Sequence, residues 1–200
     1  WLLADGGAID QIDRELKRFG MPMGPLRLLD EVGLGVARHA GAVMNGAFGE
    51  RLAPPPTMEA LEQTELLGRK GGRGFYTYEN GRDKAINDDI YAKLGSALPT
   101  ERRHIPVQDI LDRTLLAMVN EAARVLEDGI VATPADVDLG MITGTGFPPF
   151  RGGLLRWADS IGTSAIVQRL EQLQSTHGVR FEPAPLLRAH ADAGRGFYDA

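Results

Sequence analysis

Apolar residues recur every three or four positions through most of this chain, a spacing that predicts helices. Ile9, Ile12, Leu16 and Phe19 share one face of a segment whose other face is charged. Leu26, Leu28, Leu29 and Val32 give the next segment a broad apolar surface. Leu34 to Phe48 reads as a third helix, rich in Ala and Gly. Pro54-Pro55-Pro56 interrupts the pattern with an extended stretch. Thr57 follows, placed to cap a helix over Met58 to Leu67. A glycine-rich turn, Gly68 to Gly74, leads into a short extended arm carrying Phe75, Tyr76 and Tyr78, and Asn80-Gly81 signals a further turn. Ile86 to Leu94 reads as a short helix and Gly95 to Ile105 as a polar linker. Pro106 to Leu126 is the longest helical run, with a stripe that includes Ile110, Leu115, Val119 and Ala122. Thr133-Pro134-Ala135-Asp136 carries the signals of a helix start, with Thr133 as N-cap and Pro134 in the first position. Thr163 to Leu173 and Pro185 to Ala193 complete the helical pattern.

The pattern occurs twice. Gly72-Arg73-Gly74-Phe75-Tyr76 returns identically as Gly194-Arg195-Gly196-Phe197-Tyr198. Leu3-Ala4-Asp5-Gly6 corresponds to Leu126-Glu127-Asp128-Gly129, and Asp30-Glu31-Val32-Gly33 to Asp159-Ser160-Ile161-Gly162. The loop Gly20-Met21-Pro22-Met23-Gly24-Pro25 has a rough copy in Gly146-Phe147-Pro148-Pro149-Phe150-Arg151-Gly152-Gly153. Anchors in one order at nearly one offset indicate duplication. The boundaries that follow are a first repeat over residues 1–95, a linker over 96–105 and a second repeat over 106–200. The first copy lacks the long helix that opens the second. Trp1-Leu2-Leu3-Ala4-Asp5-Gly6 looks like the last turn of that missing helix. The expectation is a C-terminal piece of a longer protein.

Composition narrows the function classes. The 200 residues are 43% hydrophobic and 24% charged, ordinary for a globular chain. A net charge of −5 gives no support to nucleic-acid binding. No run approaches the ~20 apolar residues of a membrane span. The absence of cysteine excludes thiolate chemistry and disulfides. His39, His104, His177 and His190 lack metal-ligand spacing, so no metal is expected. Gly68 to Gly74 follows a helix, which is the wrong context for a dinucleotide loop. Met21 and Met23 offer flexible thioethers on a stiff loop. They suit either an acyl-chain wall or a plug in the helical core, and the sequence mechanics favour neither.

The Gly20–Pro25 loop, followed by Gly68-Arg69-Lys70-Gly71-Gly72-Arg73-Gly74-Phe75-Tyr76, resembles the C-terminal domain of 3-hydroxyacyl-CoA dehydrogenases. Gly144-Thr145-Gly146-Phe147-Pro148-Pro149-Phe150-Arg151-Gly152-Gly153 is similar to the second copy in multifunctional α-subunits of fatty-acid β-oxidation complexes. The resemblance implies an all-α fold of two tandem helical repeats, 6-phosphogluconate dehydrogenase C-terminal-like. Each repeat would end in an aromatic arm, and the two would pack as a pseudo-dimer. It implies NAD-dependent oxidation of L-3-hydroxyacyl-CoA to 3-ketoacyl-CoA in the full protein, in the cytoplasm. NAD would be bound by an upstream domain that also holds the catalytic His, Glu and Ser, with an Asn just ahead of Trp1. No catalytic or cofactor-binding residue is therefore expected in this fragment, which would be inactive alone. Met21, Pro22 and Met23 become the substrate-binding candidates against acyl-CoA. The alternative is a non-catalytic docking module for a thiolase subunit.

Overall fold

The computed structural model describes residues 1–80 and 82–199. Helix dominates, and the chain divides into two compact units. One comprises Trp1–Arg18 and Met23–Ile110, the other Phe19–Pro22 and the described part of Leu111–Ala200.

In the first unit, α1 (Ile9–Phe19) buries Ile9, Ile12 and Leu16, as the apolar spacing requires. Helix α2 (Pro25–Val32) starts on Pro25, whose fixed φ suits a first helical position, and stops at Gly33 with φ of 96°. Helix α3 (Leu34–Phe48) follows directly and leads through a 3₁₀ turn at Gly49–Leu52 to α4 (Pro56–Glu62). Helix α4 is shorter than the sequence predicts. Its first residue is Pro56, so Thr57 lies buried in the first turn instead of capping it.

The aromatic arm differs more. Tyr76–Glu79 is strand β1, paired antiparallel with β2 (Arg82–Ile86), with an irregularity between Thr77 and Tyr78. Ile86 is thus a strand residue, and the helix expected from it, α5 (Asp89–Leu94), begins later. Arg82-Asp83-Lys84-Ala85-Ile86 has no apolar alternation, so its pairing rests on backbone bonds that side-chain pattern does not reveal. The turn expected at Asn80-Gly81 includes Gly81, which lies outside the described residues. Residues 96–105 end firmly held. Ile105 is buried, its carbonyl accepts from Gln11 Nε2 at 2.6 Å, and its N–H donates to Gln11 Oε1 at 3.2 Å.

The long helical run is α6 (Val107–Leu111), one π turn (Asp112–Leu116) and α7 (Ala117–Glu127). In the second unit α8 (Pro134–Thr145) opens with the expected capping box between Thr133 and Asp136. Helices α9 (Leu154–Ile161), α10 (Thr163–His177) and α11 (Pro185–Asp192) follow. The core of this unit is α10 against α9, α11 and the π turn, with Ile166, Leu170 and Leu187 fully buried. Asn120 of α7 is fully buried and fixes the chain entering α11. Its Nδ2 donates to the Glu182 carbonyl at 2.8 Å, and its Oδ1 accepts from the Ala184 N–H at 2.7 Å.

Candidate functional site

Each copy is tied together by the same pair of aspartates. In the first unit, Asp13 of α1 accepts from the N–H groups of Leu26 and Arg27, at 2.8 and 2.9 Å, and so caps α2 from outside that helix. The Tyr76 hydroxyl donates to the same carboxylate at 2.8 Å. Asp30, with no exposure at all, accepts from the N–H groups of Phe75 and Tyr76 and from the Tyr78 hydroxyl, each at 2.9 Å. In the second unit Asp138 caps Leu155 and Arg156 at 2.6 and 3.2 Å and accepts from the Tyr198 hydroxyl at 2.7 Å. Asp159 accepts from the N–H groups of Phe197 and Tyr198, at 2.7 and 3.0 Å. The Arg156 guanidinium stacks on Tyr198 at 3.4 Å, and Arg27 lies beside Tyr76 at 5.9 Å.

This clamp explains two glycines of the repeated motif. A Cβ on Gly24 would lie 2.2 Å from Asp13, and one on Gly74 would meet an Asp30 oxygen still more closely. Burial pushes the carboxyls of Asp13 and Asp30 above the usual range, against the pull of their hydrogen-bond donors. Burial, with the adjacent carboxylates, raises Tyr76 and Tyr78, and Tyr198 is pushed up to about 12.

The three loop candidates do not share one environment. Met21 is half-buried and Pro22 exposed, both in the second unit, where a Cβ on Gly146 would lie 2.7 Å from Pro22 Cγ. Beside them Phe19 packs edge-on to Phe147 and Trp157, at 5.7 and 5.2 Å, and its carbonyl accepts from Arg151 Nε at 3.0 Å. Met23 is half-buried in the first unit. It lines a groove of about 630 Å³ with Gly24, Tyr76 and the cations Arg14, Lys17, Arg18 and Arg27. Asp10 and Asp13 also border it. Arg14 and Arg18 are braced by Asp10 and Glu15, at 3.0 to 3.1 Å.

Gly68 is held against the end of α2, where a Cβ would lie 2.5 Å from the Asp30 carbonyl oxygen. Arg69 is committed to Glu31 at 2.6 Å, and Arg73 pairs with Asp89. Among the described residues, no three His, Asp or Glu side chains are grouped to hold a metal. His190 Nδ1 sits 2.9 Å from the Gly196 carbonyl, and His177 packs edge-on to Phe181. No described helix is long and apolar enough to cross a membrane.

Asp30 and Asp159 stand among the repeat anchors of the sequence, whereas no local pattern marks Asp13 and Asp138, which lie in the helix before each Gly/Pro loop.

The fold of duplicated helical units is that of solved 3-hydroxyacyl-CoA dehydrogenases. The chain superposes on 3-hydroxybutyryl-CoA dehydrogenase from Escherichia coli K12 with a TM-score of 0.73, at 23% identity, over 94% of this chain and 55% of that one. For the dehydrogenase part of multifunctional enzyme 1 from C. elegans the TM-score is 0.68, at 23% identity, over 94% and 43%. The family model for the 3-hydroxyacyl-CoA dehydrogenase C-terminal domain matches residues 1–78 and again 110–198. The chain therefore belongs to the 3-hydroxyacyl-CoA dehydrogenase family, as its C-terminal domain. It is 41% identical over 199 residues to the fatty acid oxidation complex subunit alpha of Shewanella amazonensis, covering 98% of this chain. It is 38% identical to that of Shewanella loihica over 199 residues, covering 99% of this chain. The chain spans 28% of the length of each of these relatives.

Proposed function

We propose that this chain is the helical, substrate-side part of a fatty-acid β-oxidation dehydrogenase. The full protein would oxidise L-3-hydroxyacyl-CoA to 3-ketoacyl-CoA with NAD. The observation that carries the reading is the twofold family match, which covers both copies in order. NAD would be bound by an upstream domain of a cytoplasmic parent chain. The part of this chain is to hold and orient acyl-CoA. Met23 offers an adaptable apolar contact at the edge of a groove whose cations suit a ligand bearing phosphates. Met21 and Pro22 extend the same loop as substrate contacts. The repeats over 1–95 and 106–200 would bury apolar helix faces on each other as a pseudo-dimer.

The test is turnover. The purified chain should not oxidise NADH with acetoacetyl-CoA. Joined to the upstream region of a relative, the segment carrying the Asn included, it should, with KM for acyl-CoA raised roughly tenfold or more by Met23→Ala, since a lost apolar contact of ~1–3 kcal/mol is worth that much. Turnover by the chain alone, or an unchanged KM in the variant, would refute the assignment of roles. The relatives' names describe subunits of a complex, which favours a second reading, docking onto a thiolase subunit. Co-elution of this chain with a purified bacterial β-oxidation thiolase would support that reading.

A further inference from the structure

The stretch Phe19–Pro22 packs against the second copy of its own loop, and only that copy supplies an arginine. Gly24 and Gly153 each lie against the aspartate that caps the next helix. Their equal spacing to Asp30 and Asp159 puts Met21 and Pro22 in register with Phe150 and Arg151. The packing is reciprocal. A Cβ on Gly20 would lie 2.6 Å from Phe150 Cζ and 2.8 Å from Pro148 Cγ, and one on Gly146 would lie 2.7 Å from Pro22 Cγ. Gly20 has φ of 124°, so the chain leaves α1 in a conformation that suits glycine alone.

The polar grip is not reciprocal. Phe19 ends α1, where backbone carbonyls lack partners within the helix. Arg151 Nε donates to the Phe19 carbonyl at 3.0 Å, and its guanidinium covers the Phe19 ring at 3.9 Å. A cation at a helix C-terminus also suits the helix dipole. Arg14, Arg27 and Arg69 pair with carboxylates. Arg151 is half-buried and, among the described residues, pairs with none. Its charge serves a backbone carbonyl and the rings of Phe19 and Phe150. Loop packing alone asks only for an apolar residue at this register, which is what Pro22 is in the first copy.

We propose that Arg151 is a positioning residue for acyl-CoA recognition, holding Phe19–Pro22 so that Met21 and Pro22 meet the substrate in one conformation. This rests on the reading of Met21 and Pro22 as substrate contacts.

The test is steady-state kinetics of the full-length parent enzyme with L-3-hydroxyacyl-CoA and NAD. Arg151→Met removes the donor and keeps an unbranched stem. It should raise KM for acyl-CoA roughly tenfold and leave kcat within about twofold. Arg151→Lys keeps a donor for the Phe19 carbonyl but no planar group over the ring, so KM should rise only about two- to threefold. Met21→Ala should raise KM by itself and add little in either Arg151 variant, because both changes act through one loop. The lysine variant carries this cycle if Arg151→Met does not fold. A merely structural Arg151 would lower thermal stability without moving KM. The proposal fails on that result while Met21→Ala raises KM. It fails if the two effects multiply, because Arg151 then acts independently of the loop. It fails if Arg151→Lys is no better than Arg151→Met. An unchanged KM in Met21→Ala sinks the substrate-contact reading itself, and this proposal with it.

Discussion

Replacing Asp30 by Ala tests the clamp directly. The carboxylate is fully buried and serves three donors, the N–H groups of Phe75 and Tyr76 and the Tyr78 hydroxyl. The Phe75 N–H is left in the interior without an acceptor, at a cost of ~1–3 kcal/mol. Tyr76 and Tyr78 are half-buried, and their donors regain water at a cost of ~0.5–1 kcal/mol each. Relief of the desolvated charge offsets part of this, so the net loss is ~2–4 kcal/mol. For a unit of about one hundred residues that lowers the melting temperature by roughly 10–20 °C. Asp159→Ala is the internal control. Asp159 is half-buried and accepts two N–H groups, so its loss should cost ~1–2 kcal/mol. Asp30→Asn should behave almost like Asp30→Ala, because an amide presents one oxygen to three donors and turns an NH₂ toward the rest. Calorimetry of the three variants, with amide exchange over residues 72–80, measures the ordering. The pH dependence supplies a second signature. Burial raises the folded carboxyl above its ordinary 3.8, so between the unfolded and folded values the native state binds more protons. The contribution of Asp30 to stability therefore falls as pH rises through that window and is constant above it, and Asp30→Ala should lack this decline. A loss under ~1 kcal/mol, a larger loss in Asp159→Ala, or wild-type stability in Asp30→Asn would refute the reasoning.

Two further outcomes follow from the same geometry. Gly74→Ala forces a methyl onto an Asp30 oxygen, while Gly196→Ala meets Asp159 at 2.7 Å with a half-buried partner free to shift. Chemical denaturation should show a loss of ~2–4 kcal/mol for the first and clearly less for the second. Three of the four tyrosines, Tyr76, Tyr78 and Tyr198, should fail to ionise near pH 10 when followed by absorbance at alkaline pH, with Tyr198 titrating at about 12. Since their folded values are raised, the stability they contribute is present below 10 and lost as pH climbs toward the folded values. Asp138→Asn should bring Tyr198 down toward 10.

What the chain declared in advance was whatever rests on side-chain periodicity or on a special backbone position. Helices α1, α2 and α3 follow the apolar spacing, and the Thr133–Asp136 capping box is where its letters place it. What it concealed rests on backbone pairing or on long-range polar contacts. Strand β2 carries Arg, Asp and Lys and offers no apolar face to recognise. The tie from Asp13 to Tyr76 spans most of the first copy, and nothing local marks Asp13 as more than another charge on a helix. The loop candidates show the same division. Two thioethers on a stiff loop suggest a shared wall, but Met21 and Met23 fall to different compact units, a partition set by the packing of Phe19 with Phe147 and Trp157. The repeat was the most informative part of the sequence because it supplies its own control. Where the copies agree in sequence and in contacts, as at Gly74 and Gly196, the cause is the clamp. Where they agree in register but differ in burial, as along α3 and α10, the difference follows from the π turn and α7, which pack on α10 and α11 in the second unit.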